Sequence, residues 1–243
     1  MEAPSTLADY REIWEKKPVL RAVYEDIYRR MAASLIPGRT LEIGGGSGNF
    51  KAFAPDTLSS DITLAPWLDL GCDAQRLPFA AGSLSNVVMV DVLHHIEFPI
   101  RSLREIANAL EPGGRLIMCE PAITPISSIF YRHFHPEPVD MTADPLVDGA
   151  ISPDKDPFDS NQAIPTLLTG RDRERLSNTV PELRLQSLEY FSFIAYPLSG
   201  GFRPWSLIPL SLARPLLSIE WELRKIFGRL AAFRLLAVYE KIS

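Results

Sequence analysis

Between residues 39 and 121 short apolar runs alternate with helical or turn-forming segments, and no other feature limits the fold as strongly. "RTLEI" reads as a strand, "NFKAF" as a short helix, and "TLSSDI" and "WLDL" as strands. "NVVMVD" is apolar enough to be a strand covered on both faces. Residues 99–110 predict a helix, with Pro99 in its first turn and Ile100, Leu103, Ala107 and Leu110 on one face. "EPGG" stops it, and "RLIMCE" returns as another buried strand. Strands spaced by helices in this way pair in parallel, because each crossover must travel back along the sheet.

The first strand runs into "LEIGGGSGNF" at 41–50, which places glycine at 44, 45, 46 and 48. Glycine tolerates φ > 0 and lets another group approach the backbone closely. The dinucleotide fingerprint is G-x-G-x-x-G, but here the spacing is G-x-G-x-G, and Asn49 stands where the third glycine belongs. Taken alone, the stretch is equally compatible with a tight turn that holds no ligand. Asp61 closes the next strand; a carboxylate there suits a vicinal diol, though Asp is also common as a turn residue. Asp73 follows the third strand in "CDAQRLPF".

Composition excludes several classes. With 46% apolar and 23% charged residues the chain is globular, and a net charge of −5 argues against a nucleic-acid partner. Cys72 and Cys119 lack C-x-x-C spacing, as expected of a reduced cytoplasmic protein. The N-terminal "MEAPSTLADYREIWEKK" has no apolar core of a leader, and no uncharged run reaches spanning length.

The flanks differ in texture. Val19, Val23, Ile27, Met31 and Leu35 form a four-residue stripe, so 1–35 reads as a helical cap before a core at 36–120. Residues 121–183 read as a lid insertion, proline-rich and without a sustained period through 170. The last two strands, "LRLQSLEYFSFIAY" and "FRLLAVYEKI", fall within 184–243, in the same single domain, separated by an apolar insert at 197–231. With Arg224, Lys225 and Arg229 beside it, that insert suits peripheral contact with a membrane, or a packed helical cover or dimer contact. Phe191 and Phe193 read as core of the sixth strand.

The ordered series "LEIGGGSGNF", "SSDI", "CDAQRLPF", "NVVMVDVLHHI" and "LEPGGRLIMCEP" resembles the class I S-adenosylmethionine-dependent methyltransferases. It is most similar to the small-molecule branch that includes the ubiquinone and menaquinone enzymes. The resemblance covers 39–121 and implies an α/β fold: a Rossmann-like, doubly wound, mostly parallel seven-stranded sheet with an antiparallel last strand. It also implies S-adenosyl-L-methionine as cofactor. Glu42, Gly44, Gly45, Gly46 and Gly48 would line its methionine end; Asp61 would take the ribose hydroxyls; Asp73, with the backbone of Ala74, would meet the adenine; Asp91 would face the methionine moiety. "DVLHHI" departs from the D/N-P-P-Y/F/W of nucleobase and glutamine methylation, and no glutamate pair follows it as arginine methylation requires.

Methyl transfer to a hydroxyl or an acidic carbon needs a base, and histidine titrates near neutrality. His94 and His95, just past Asp91, and Glu120, at the end of the fifth strand, are the candidate catalytic residues; each could instead cap local backbone. No metal site is expected, because His133, His135 and Glu137 lack a third ligand at firm spacing. The expected acceptor is a small molecule, apolar or lipid-linked. The alternatives are an S-adenosylmethionine-binding module without catalysis and a nicotinamide-dependent oxidoreductase.

Overall fold

The computed structural model describes residues 6–242. Helix α1 spans Leu7–Lys16, started by a reciprocal cap in which the Thr6 hydroxyl accepts from the Asp9 N–H and the Asp9 carboxylate accepts from Thr6. Helix α2, Pro18–Ala32, begins on proline and buries Val19, Val23, Ile27 and Met31, so the predicted stripe is its inner face. Leu35 lies beyond its end.

Strand β1 is Thr40–Ile43, β2 Leu58–Asp61 and β3 only Leu70–Gly71. The expected strand "WLDL" is therefore reduced to its last residue and the next one. "NFKAF" forms a single 3-10 turn, Phe50–Ala52. Strand β4 is Leu84–Val90, helix α3 Pro99–Ala109 and strand β5 Leu110–Pro121. "EPGG" stops α3 as expected but lies inside β5, bulging out of the ladder between Leu110, which pairs with Leu84, and Arg115, which pairs with Asn86. Gly113 takes φ 81° there.

Residues 121–183 are more regular than their sequence suggests. They hold α4 (Pro125–Phe134), α5 (Ile164–Thr169) and α6 (Arg173–Thr179). Strand β6 is Leu183–Phe191, shorter than expected because Ser192 at φ 65° turns the chain out of the sheet. Helices α7 (Ala195–Ser199) and α8 (Leu210–Ala231) fill the apolar insert before β7, Arg234–Lys241. Among the described residues no helix is long and apolar enough to cross a membrane.

The sheet order is β3-β2-β1-β4-β5-β7-β6. Every pair from β3 to β5 is parallel, and β7 runs antiparallel between β5 and β6. Successive residues of a strand point to opposite faces, and the core splits accordingly. Val87 and Met89 pack with α3, α5 and α6 on one face. Val88 packs with α2 and α8 on the other. The order reverses direction between β1 and β4, which opens a crevice at the carboxyl ends of these strands, where open α/β sheets hold ligands.

Candidate active site

A cavity of about 600 Å³ occupies that crevice. Its floor is the turn after β1, where Gly44 and Gly46 take φ 69° and 50°. A Cβ on Gly44 would stand 2.2 Å from Val92 Cγ2, so this position excludes any side chain, whereas one on Gly46 would meet only the Gly44 carbonyl, at 3.9 Å. Gly45 also lines the cavity. Gly48 does not; its Cβ would collide with the Trp67 ring at 2.9 Å, and the Trp67 indole donates to the Gly46 carbonyl.

Asp61 ends β2 on the cavity wall and ties the glycine turn down. Its Oδ2 accepts from Gly46 N at 3.0 Å and its Oδ1 from Thr63 N at 2.9 Å. Burial raises this carboxyl above the usual range, and those N–H donors oppose the rise. A carboxylate has about four acceptor positions, so one per oxygen stays open for a pair of hydroxyls. Asp73 and Ala74 sit farther along the same wall, with Asp73 Oδ1 accepting from Gln75 N. Glu42 faces the cavity and takes the Ser59 hydroxyl; burial pushes its carboxyl up to about 7.

Asp91 follows β4 at φ 58°, a strained conformation for any residue but glycine. Its carboxylate is clamped by the two terminal guanidinium nitrogens of Arg234 and by the Tyr24 hydroxyl at 2.9 Å. Burial would raise this carboxyl, but the guanidinium outweighs it and holds the group below its ordinary range. Arg234 is itself 1% exposed and stacks on the Tyr196 ring. Sequence reasoning missed Arg234 and Tyr24. The signal was present: a single arginine in the apolar run "AAFRLLAVY" needs a buried acid.

Glu120 is fully buried and does not reach the cavity. Its Oε1 accepts from the N–H groups of Val92 and Leu93, and its Oε2 meets His94 Nδ1 at 2.7 Å. His94 and His95 both line the cavity. Burial lowers the His94 imidazole, but Glu120 and Glu137 outweigh it and bring it to about 9. Burial, and then the His94 charge, push His95 down. Glu137, from the segment after α4, lies 3.6 Å from His94 Nε2 and accepts from Ser160 Oγ and Gln162 Nε2. Burial opposes its ionisation, yet the histidines hold it at about 2. His135 also lines the cavity, whereas His133 does not.

The roof comes from both flanks. Lys17 Nζ donates to the carbonyls of Gly201, Arg203 and Trp205 at 2.6–2.8 Å, fixing the 200–205 loop over the cavity. Tyr10 of α1 packs edge-on against Phe202 and stacks on Phe158, which precedes α5.

Comparison with known proteins agrees with this geometry. A family profile described as a methyltransferase domain matches residues 54–118. Residues 54–118 therefore carry the signature of a methyltransferase domain. The demethylmenaquinone methyltransferase of Mycolicibacterium vanbaalenii is 35% identical over 89 residues, 35% of this chain and 36% of that protein. That of Streptomyces griseus is 29% identical over 97 residues, covering 38% and 40%. The chain thus matches well under half the length of these relatives. An S-adenosylmethionine-dependent methyltransferase structure from Thermotoga maritima superposes with TM-score 0.57 at 16% identity, over 96% of this chain and 94% of that one. One from Archaeoglobus fulgidus gives 0.54 at 15% identity, over 91% and 94%. At that identity they speak for the fold alone.

Proposed function

We propose that this methyltransferase domain binds S-adenosyl-L-methionine and transfers its methyl group to a small apolar or lipid-linked acceptor. The observation that carries the reading is one cavity with a glycine floor, two acids at successive strand ends and an aromatic roof. The donor set fits the cofactor: Asp61 retains acceptor positions for two ribose hydroxyls, Asp73 and Ala74 suit the adenine edge, and Glu42 and the glycine turn suit the amino-acid end. When bound, the cofactor supplies an electrophilic methyl on a sulfonium.

The chain's own groups then have to hold an acceptor in line and exclude water. Tyr10, Phe202 and Trp205 close the cavity from the flanks. His94 and His95 reach it beyond Asp91 and would engage the acceptor's polar head, with Glu120 acting only through His94. The names of the demethylmenaquinone relatives support a lipid-like acceptor. Further support lies on α8, where Leu212, Ile219, Ile226 and Leu230 form an exposed apolar stripe beside Arg214, Lys225 and Arg229. Exposed Ile126, Ile129 and Phe134 of α4 add to the apolar surface. Such a face fits peripheral contact with an anionic membrane. Two free cysteines fit a cytoplasmic setting. We read 36–120 as the cofactor-binding core and 121–183 as the lid.

Calorimetric titration with S-adenosylmethionine and S-adenosylhomocysteine tests the cofactor. Radiolabelled methyl transfer to hydroquinones and naphthols tests the acceptor. Absence of binding at millimolar ligand overturns the reading, and binding without transfer leaves a non-catalytic module. Sedimentation with anionic vesicles tests the membrane face.

A further inference from the structure

In the sequence Glu137 stands near His133 and His135, but the fold brings it instead to His94 and His95. We propose that His94, His95 and Glu137 bind one divalent transition-metal cation at the acceptor end of the cavity. Only the cation's use rests on the methyl-transfer reading.

Four observations converge. One ligand atom from each of the three residues lies within 4.8 Å of the other two. The 3.6 Å between His94 Nε2 and Glu137 Oε2 is an ion-pair distance. It is close to the about 3.0–3.4 Å that separates neighbouring ligand atoms when each stands about 2.1 Å from a cation.

Second, the His94 ring is oriented as metal-binding imidazoles are. Glu120 sits behind it at 2.7 Å from Nδ1, itself fixed by two backbone N–H groups. A carboxylate only accepts, so the network assigns a proton to Nδ1; Nε2 shares its own proton with Glu137, and a cation would take that proton's place. This carboxylate–imidazole backing sets tautomer and aim at metal sites.

Third, His95 Nδ1 is buried with no hydrogen-bond partner. A buried nitrogen left without a partner costs about 1–3 kcal/mol, and such atoms are uncommon. The His95 ring lies against His94, with centroids 4.2 Å apart.

Fourth, Ser160 and Gln162 both donate to Glu137 Oε2, the oxygen that faces His94, and so position the carboxylate; a cation there would take over one of these two bonds. Two imidazoles and one carboxylate, with remaining positions open to the cavity, are a donor set for zinc, cobalt, iron or manganese rather than calcium or magnesium. The open position would take an acceptor oxygen, acidify it and hold it toward the methyl group. The acceptor class this implies is a phenol, hydroquinone or enolisable ketone.

The test uses metal-stripped full chain. Titration with Co²⁺, read by visible absorption, and equilibrium dialysis with Zn²⁺ should each give one cation per chain. Glu137→Gln and His95→Ala should each weaken binding at least 100-fold, and Glu120→Gln about 10–100-fold. All three should keep S-adenosylhomocysteine affinity within twofold, which certifies their folding. Substoichiometric Co²⁺ and Zn²⁺ binding overturns the proposal. So does stoichiometric binding that Glu137→Gln and His95→Ala leave unchanged. Loss of S-adenosylhomocysteine binding in the parent chain, with metal binding intact, would sink the methyl-transfer reading and leave the cation site standing.

Discussion

Replacing Asp61 by alanine probes whether the acid at the end of β2 holds a ligand or only a turn. In the folded protein it accepts two backbone bonds, from Gly46 at 3.0 Å and Thr63 at 2.9 Å. Bonds to a charged group contribute about 1.5–3 kcal/mol each. The residue stands at the cavity wall, where water can satisfy both N–H groups, so the expected loss of stability is smaller, about 1–2 kcal/mol. A ribose diol would make one or two further bonds to the same carboxylate. Their loss predicts S-adenosylhomocysteine affinity falling about 10-fold to 150-fold per bond. Affinity could also fall because the freed Gly46 turn reshapes the floor. A double cycle separates the two: calorimetry on parent and Asp61→Ala chains, each with the ligand and its 2′-deoxy analogue. If Asp61 grips the ribose, the missing hydroxyl weakens binding to the parent chain but not to the variant. Equal weakening in both, or an unchanged affinity in the folded variant, would refute the assignment.

Gly44→Ala should destabilise the chain by about 2–4 kcal/mol, from a Cβ 2.2 Å from Val92 Cγ2 and a φ of 69°; urea unfolding reads this as a lower midpoint at unchanged slope. Arg234→Met removes the cation that neutralises the buried Asp91 carboxylate, leaving it only the Tyr24 hydroxyl, and should cost about 3–5 kcal/mol; adding Asp91→Asn should recover part of it in the same assay. Glu220 is buried and caps the N–H groups of Ile194 and Ala195, and burial raises its carboxyl to about 7. The unfolded chain releases this proton near pH 4.5 and the folded chain only near 7, so the group's stabilisation is complete below about 4.5 and lost as pH rises to 7. The loss is at most about 3 kcal/mol. Glu220→Gln should therefore raise Tm at pH 8 relative to the parent chain, and a gain of equal size at pH 4.5 would contradict the cause given.

The parallel core was legible because it is encoded locally. Four-residue spacing in 19–31, proline at 18 and 99, and apolar runs at 86–90 and 115–119 each report their own neighbourhood. The glycine turn and the acids at 61 and 73 were legible for the same reason, since each lies beside a strand end. What could not be read depends on partners distant in the chain. "WLDL" has strand composition, yet β3 is an edge strand that pairs over two residues only. "EPGG" has the composition of a helix stop and acts as one, but the neighbouring ladder carries it into β5 as a bulge. Glu120 was expected among the catalytic groups, and only the tertiary structure places it behind His94, outside the cavity. Glu137 becomes informative only when the lid folds back more than forty residues onto His94.

The position of β7 between β5 and β6 governs how this protein is made. Strand β6 pairs only with β7, so when residues 183–191 leave the ribosome they have no ladder to join. At synthesis rates of about 5–20 residues per second the chain waits several seconds for residue 234. Throughout that interval β5 presents an open edge, and edges of that kind recruit strands from other chains. Asp91 meanwhile lacks the guanidinium that neutralises it. Translational pausing inside α8, between residues 210 and 231, prolongs this exposure, so slow codons there should lower soluble yield without altering the finished fold.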